Sequence, residues 1–312
     1  SLESCKINLP NVLKNKHYGF ESAGFATTSL IGCAYANITR LGSIWDIVEN
    51  HLNNLVSSRN KEIRDSAVNT LNDFMLHELK GISNSSDFLN VDDFSADNDA
   101  MGINWVFRIE KSSILRSHQS GDGESNKEAL RCRIFKTVET LTNSTHVDTK
   151  EATLTSLHSV LQSSGQLLGI AWGSILGLLT KVAESASFES NNASEWGGSC
   201  LLLAFESLNL IVDDFLDRLP QEEIPSLIIC LGKFGMQTEN INLSLTAVGM
   251  LWKVSDVYAS SMRRDGMWNE MLLQLTTLSK DDRPEVRNCA INTLFSVISS
   301  NSTAFNKNQW QQ

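Results

Sequence analysis

The chain has 312 residues, 41% hydrophobic and 20% charged, which fits folded protein and allows two ordinary domains or one elongated repeat array. Its 36 acidic against 26 basic residues give a formal net charge of −10, which argues against a groove built to neutralise many phosphates, so no nucleic acid partner is expected. Only 4 prolines and 3 tyrosines speak against a sandwich of many short strands and favour helix.

The six cysteines, Cys5, Cys33, Cys132, Cys200, Cys230 and Cys289, form no C-x-x-C pair and read as small core residues in a reducing compartment. No apolar run approaches the roughly 18 to 20 residues needed to cross a bilayer, so direct membrane insertion is not expected. Because the chain opens on Ser1, it is expected to be a section of something larger.

In chain order, the apolar periodicity predicts helices over 20–38, 43–57, 61–79, 125–143, 147–164, 167–185, 196–217, 221–235, 239–260, 267–279 and 283–300. Asp282 is predicted to cap the last of them ahead of Pro284, which lacks an amide hydrogen that an early helical position would waste. Between 81 and 124 the pattern dissolves into Ser, Asn, Asp and Gly, with acids at Asp87, Asp92, Asp93, Asp97 and Asp99. That stretch is expected to be an acidic, mobile insertion between repeats, with the apolar island Met101–Ile109 docking back on the helices. A second polar break, 185–194, lengthens one connection.

The decisive feature is a repeat. Ala204, Ala247 and Ala290 stand 43 residues apart, within the roughly 40 to 47 of a HEAT or armadillo unit. Four residues before them stand Cys200, Leu243 and Val286; four after, Leu208, Leu251 and Leu294; eight after, Val212, Ser255 and Ile298, where only Ser255 breaks the apolar row. An earlier copy, Glu62–Leu71, matches Glu285–Leu294 and aligns Ala67 with Ala290 and Arg64 with Arg287. A small anchor lets a helix approach its neighbour, while larger residues one turn away fill the seam. The expected fold is all-α, a HEAT/armadillo-type α-solenoid of about five to six helical hairpins forming a single array over 1–312. Arg64 and Arg287 are assigned a structural role, bonding between neighbouring units.

Residues that could carry chemistry give little. The six histidines, His17, His51, His77, His118, His146 and His158, show no metal-binding spacing, and Gly197-Gly198 lacks the lysine and preceding strand of a phosphate loop. Cys200 and Cys289 fall in apolar rows, where burial makes a thiol inert. No catalytic residue, metal or cofactor is therefore expected. Asp213 and Asp217 share a predicted helix face and read as a solvated edge or a partner contact. Trp196 and Trp252 read as core, whereas Trp268 and Trp310, nearer predicted ends, are the candidate exposed anchors.

Three C-terminal segments carry a more specific wording: Phe205–Leu219, Asn240–Tyr258 and Arg283–Ile298, above all Leu243-Ser244-Leu245-Thr246 followed by Leu251-Trp252 and Ser255-Asp256. Together they resemble the Mon-two family of HEAT-repeat scaffolds, related to the large Arf exchange factors but lacking the catalytic Sec-seven domain. A looser likeness runs through Phe25–Leu79, so that about two-thirds of the chain is covered, and the 81–124 stretch has no evident counterpart. The resemblance implies a central section of a non-catalytic scaffold, cytoplasmic and peripheral to trans-Golgi and endosome membranes. It also implies a Dopey-type protein, an Arf-like small GTPase and lipid-flippase machinery as partners. A helical-repeat adaptor of the karyopherin or phosphatase-scaffold kind is the competing expectation.

Overall fold

Periodic apolar residues at helical spacing account for every long element in the computed structural model, which describes residues 29–30, 33–34, 41–80, 123–186, 196–258 and 265–301. Among these there are ten α-helices and no strand. The chain divides at 144/145 into two compact units, where the sequence suggested one array.

The first unit contains α1 (Leu41–Val56), α2 (Lys61–Lys80) and α3 (Gly123–Thr142), all three packed on one another. Leu41, Trp45, Val48 and Leu52 recur on one stripe of α1 and are buried, as an amphipathic helix demands. The Trp45 ring meets Phe74 of α2 edge-on at 5.4 Å, and its indole N–H donates to Thr137 Oγ1 of α3 over 3.1 Å. That bond lets an indole sit in the core without an orphaned donor. Arg133 of α3 ties the start of α1 by donating to the Gly42 carbonyl and pairing with Asp46. The predicted helix over 20–38 and the 81–124 insertion lie largely outside the described residues, although α3 begins at Gly123.

The second unit holds α4 (Val147–Ser164), α5 (Trp172–Ser185), α6 (Gly197–Asp214), α7 (Ile224–Met236), α8 (Ile241–Tyr258), α9 (Asp265–Leu278) and α10 (Pro284–Asn301). Two layers result. In one, α5 packs on α7 and α7 on α9; in the other, α4 packs on α6 and α8 on α10. Short loops close the hairpins α7/α8 and α9/α10. The repeat anchors Ala67, Ala204, Ala247 and Ala290 are all 0% exposed, each on the second helix of a pair. Their flanks Cys200, Leu208, Val212, Leu251 and Val286 are equally buried. Ser255, the polar break in the row, is 0% exposed as well, and its hydroxyl donates to the Trp252 carbonyl, so its burial leaves no unmet hydrogen bond.

Several boundaries move for local reasons. The helix predicted from 167 starts only at Trp172, after two 3₁₀ turns, because Gly169 takes a left-handed φ of 55° and breaks the helical path. At Gly165 a Cβ would stand 2.4 Å from the Phe215 ring, so this turn closes against the aromatic only with glycine. The helix predicted to 217 ends at Asp214, and Leu216–Arg218 form a 3₁₀ turn before Pro220. The helix predicted from 221 likewise begins as the 3₁₀ turn Gln221–Glu223. Asn60 and Asn240 cap α2 and α8, their Oδ1 atoms accepting from the amides of Glu62 and Asn242 over 3.0 Å each. At α10 the acceptor is Asp281, not Asp282: Asp281 Oδ1 takes the Arg283 amide hydrogen at 2.9 Å while Asp282 is exposed.

Enlarging an anchor must force neighbouring helices apart. Ala247→Leu is expected to lower the stability of the second unit by about 1 to 3 kcal/mol, and Leu251→Ala by about 2 to 5 kcal/mol, through overpacking and cavity formation respectively. Urea unfolding followed by circular dichroism measures both, and unchanged midpoints would mean that these positions do not form the seam.

Candidate functional site

The two repeat arginines do the same work in the two units. Arg64 Nη1 donates to the carbonyls of Ser58 and Arg59, both at 3.0 Å, and Arg287 Nη1 to those of Asp281 and Asp282 at 2.8 and 3.2 Å. Each guanidinium therefore folds back on the loop that precedes its own helix. These bonds lie within a hairpin, whereas the sequence suggested bonds between neighbouring units.

Arg283 does bond between hairpins. Its Nη1 donates to the Gln237 carbonyl at 2.7 Å and its Nη2 to the Gly235 carbonyl at 3.0 Å, both in the α7/α8 hairpin. Asp281 holds the guanidinium in place through bonds of 2.9 Å to Nε and Nη2. Below it, Gln237 and Ser244 are 0% exposed; the Gln237 amide donates to Ser244 Oγ at 2.8 Å, and the Ser244 hydroxyl donates to the Gln237 carbonyl at 3.1 Å. Carbonyls left open at the end of α7 thus receive a charged donor from the next hairpin. Burial opposes ionisation of Asp281, but hydrogen bonds from Arg283 and the charges of Arg283 and Arg287 outweigh it and hold the carboxyl below its ordinary value.

Several acids are exposed along α6 and α8. Asp213, Asp214, Asp217 and Asp256 are exposed there. Asp213 pairs with Lys253 across the two helices at 2.8 Å, with side chains 50% and 45% exposed, an exposed geometry worth about 0 to 1 kcal/mol. Asp217 lies beyond the end of α6, in the 3₁₀ turn, so the two acids do not share one helix. Beside it, Tyr258 donates to the Leu216 carbonyl, and burial together with the Asp217 charge pushes its phenol up to about 12.

Trp268 corrects an expectation: it is 0% exposed, because α9 begins at Asp265 and already turns it toward the core. It is no exposed anchor. Trp310 lies outside the described residues. Trp252, expected in the core, is half-buried, while Trp196 is buried and its ring lies 4.7 Å from Nζ of Lys150, itself only 2% exposed. That cation–π contact joins the start of α4 to the residue before α6.

Nucleophile-like pairs resolve into packing. His158 Nδ1 lies 3.0 Å from Ser207 Oγ, but Ser207 is fully buried and gives its hydrogen to the Leu203 carbonyl at 2.9 Å. The imidazole must then donate from Nδ1 and accept from the Gln162 amide, 3.0 Å from Nε2, so it links α4 to α6 instead of activating a hydroxyl. Burial, aided by Glu151, raises the Cys200 thiol to about 11, and burial raises Cys230 to about 12. Cys289 and Cys132 are half-buried and Cys33 is exposed, so the expectation of six core cysteines holds fully for only two of the described five. Among the described residues no group of three His, Cys, Asp or Glu side chains converges on a metal position, and no helix is long and apolar enough to cross a membrane.

The family model described as the C-terminal region of Mon2 protein matches residues 213–264, from Asp213 itself through α8. A Drosophila melanogaster protein named Protein MON2 homolog is 23% identical over 315 residues, covering 93% of this chain and 16% of that protein. A Homo sapiens protein of the same name is 26% identical over 219 residues, covering 60% and 12%. A Schizosaccharomyces pombe homologue reaches 32% identity over 143 residues, 38% of this chain and 9% of its own length. The chain is thus similar to Mon2 proteins over most of its length. It spans less than a fifth of the length of these relatives, and the matched model is one of a C-terminal region, where the sequence reading placed a central section.

Two outcomes follow from this geometry. Asp281→Asn should cost about 1 to 3 kcal/mol at neutral pH. Because the folded Asp281 carboxyl titrates below its ordinary 3.8, its contribution is complete above that value and lost as pH falls through the lowered one. The gap between wild type and variant, read from unfolding midpoints against pH, must therefore narrow in acid; a constant gap refutes the ion pair's role. Second, iodoacetamide at roughly pH 8 should modify Cys33 in the native protein and spare Cys200 and Cys230 until denaturant is added, as peptide mass spectrometry would reveal.

Proposed function

We propose that this chain is a non-catalytic scaffold segment that recruits proteins in Golgi and endosome membrane traffic, working in the cytoplasm at the periphery of trans-Golgi and endosome membranes. The reading is supported by the similarity to Mon2 proteins and by one observation above the rest: the matched stretch 213–264 includes the exposed acids Asp213, Asp217 and Asp256 at the end of α6, in the turn after it and on α8. Asp213 on α6, Asp217 in the turn after it and Asp256 on α8 are all exposed, an arrangement that suits a partner-binding surface. The partners implied by the family resemblance are a Dopey-type protein, an Arf-like small GTPase and flippase machinery. An acidic edge of this kind suits a partner that offers lysines or arginines.

Pull-down with the 312-residue chain as bait tests the reading, using a Dopey-type protein, an Arf-like GTPase and a nuclear transport factor as prey. Retention of one of the first two, weakened about tenfold by Asp213→Lys with Asp217→Lys, is the expected outcome. Those surface changes should shift folding stability by no more than about 0.5 kcal/mol. Exclusive retention of the nuclear transport factor would favour the karyopherin-like adaptor, and binding that ignores both substitutions would move the contact off this edge.

A further inference from the structure

Two turns of the second unit meet beside Asp217. Phe215, directly after α6, sets its ring against Gly165, where a Cβ has no room, and lies 5.7 Å from the Trp172 ring at the start of α5. Glu223, just before α7, lies against the same end of α5: a Cβ on Gly173 would come within 2.7 Å of its Oε1. The turn between α4 and α5 and the turn between α6 and α7 therefore form one surface. On the first of them Leu167 and Ile170 are 42% and 45% exposed, three residues apart and so separated by no more than about 11 Å of backbone. Between them Gly169 takes its φ of 55°, and their neighbours Leu168 and Ala171 fill the core. The second turn carries Asp217, Arg218 and Glu222 exposed and Glu223 half-buried, three acids against one base, and Asp214 is exposed at the end of α6.

We propose that this surface docks a short basic amphipathic segment of a partner protein, with Leu167 and Ile170 as apolar anchors and the acids of the adjoining turn as the rim. An apolar centre with a charged rim is the anatomy of a binding patch. This rests on the reading of Asp213 and Asp217 as a partner contact and adds what they lack, because exposed charges steer and select a partner but contribute little affinity. Charge names the occupant. A second copy of the chain would set the same patch against itself in a two-fold contact, acids facing acids. An anionic lipid surface is repelled by those same acids. A lysine or arginine of a partner segment instead meets Asp217 or Glu222, while apolar side chains on its other face cover Leu167 and Ile170. Size agrees with charge: two side chains and a rim fall far short of the roughly 1,600 Å² buried by a stable globular interface, but suit one face of a short helix. Leu202, similarly exposed at 47%, lies twelve residues before Asp214 on α6, about 18 Å along the helix, and is the natural control.

Fluorescence anisotropy with three labelled peptides of about 18 residues, five helical turns each, tests this on the 312-residue chain. The probes are an amphipathic helix of leucine and lysine, the same helix with glutamate for lysine, and oligolysine. The leucine/lysine helix should bind at least about tenfold more tightly than either of the others. Leu167→Ser with Ile170→Ser should weaken it about tenfold, and Leu202→Ser should leave it unchanged. Urea midpoints of these variants should match wild type because the replaced side chains are exposed, and if the double variant is destabilised, Ile170→Ser alone carries the comparison. Asp213→Lys with Asp217→Lys separates the two readings. Binding weakened by the lysines and not by the serines leaves the acidic contact standing and overturns the apolar anchor. Binding weakened by the serines alone overturns the basic occupant and the acidic contact with it. No binding of the leucine/lysine helix, or an equal loss with Leu202→Ser, overturns the proposal outright.

Discussion

A helix that is apolar on more than one side cannot stand in water, and the second helices of these hairpins are of that kind. Around Ala247, Leu251 and Val254 turn one way and Val248 another, and each of them is fully buried. Such a helix is stable only between two neighbours, and the alanine at its centre sets how closely they come. The stack therefore supplies its own interior: each hairpin is both a core for the one before and a surface in need of the one after. Everything polar in the second unit has to be arranged around that constraint.

The polar arrangement is visible at the loops. Hairpins that stack through apolar faces could slip along one another, since burial is non-directional. Arg283 removes that freedom by reaching the carbonyls of Gly235 and Gln237 in the preceding hairpin while Asp281 holds its guanidinium. A planar fork with five donors is suited to such a joint, where a lysine would offer a point charge with no fixed direction. Arg64 and Arg287 serve a different end, closing the loop of their own hairpin, so the arginines divide into one that sets the shape of a repeat and one that sets the spacing between repeats.

Periodicity made the helices and the anchors readable, because burial of Ala67, Ala204, Ala247 and Ala290 is a property of every fourth residue over several turns. It failed where a single local event decides. Gly169 with its positive φ delays α5, and the end of α6 at Asp214 separates Asp213 from Asp217. Trp268 was misplaced because it sits one turn inside a helix whose start the sequence put two residues late. Arg283 was missed because it is a loop residue whose partners lie 46 and 48 positions away. The usable signal was Asp281 two residues before an arginine and Pro284 directly after it, a pattern that fixes a guanidinium at the mouth of a helix.

The absence of an obvious reaction centre in the sequence and the charged edge in the structure have a common origin. A protein whose second helices are committed on two sides has one strip per helix left for anything else. On α6 and α8 that strip carries Glu206, Asn209 and Asp213 beside Asn242, Thr246, Lys253 and Asp256, side chains that are exposed and need nothing from the core. Catalytic groups require burial, converging partners and displaced pKa values. The displaced thiols here, Cys200 and Cys230, are displaced toward inertness by that same packing, and His158 spends one ring nitrogen on Ser207 of α6 and the other on Gln162 of its own helix. What a strip of this sort can vary without unfolding the stack is its pattern of charge.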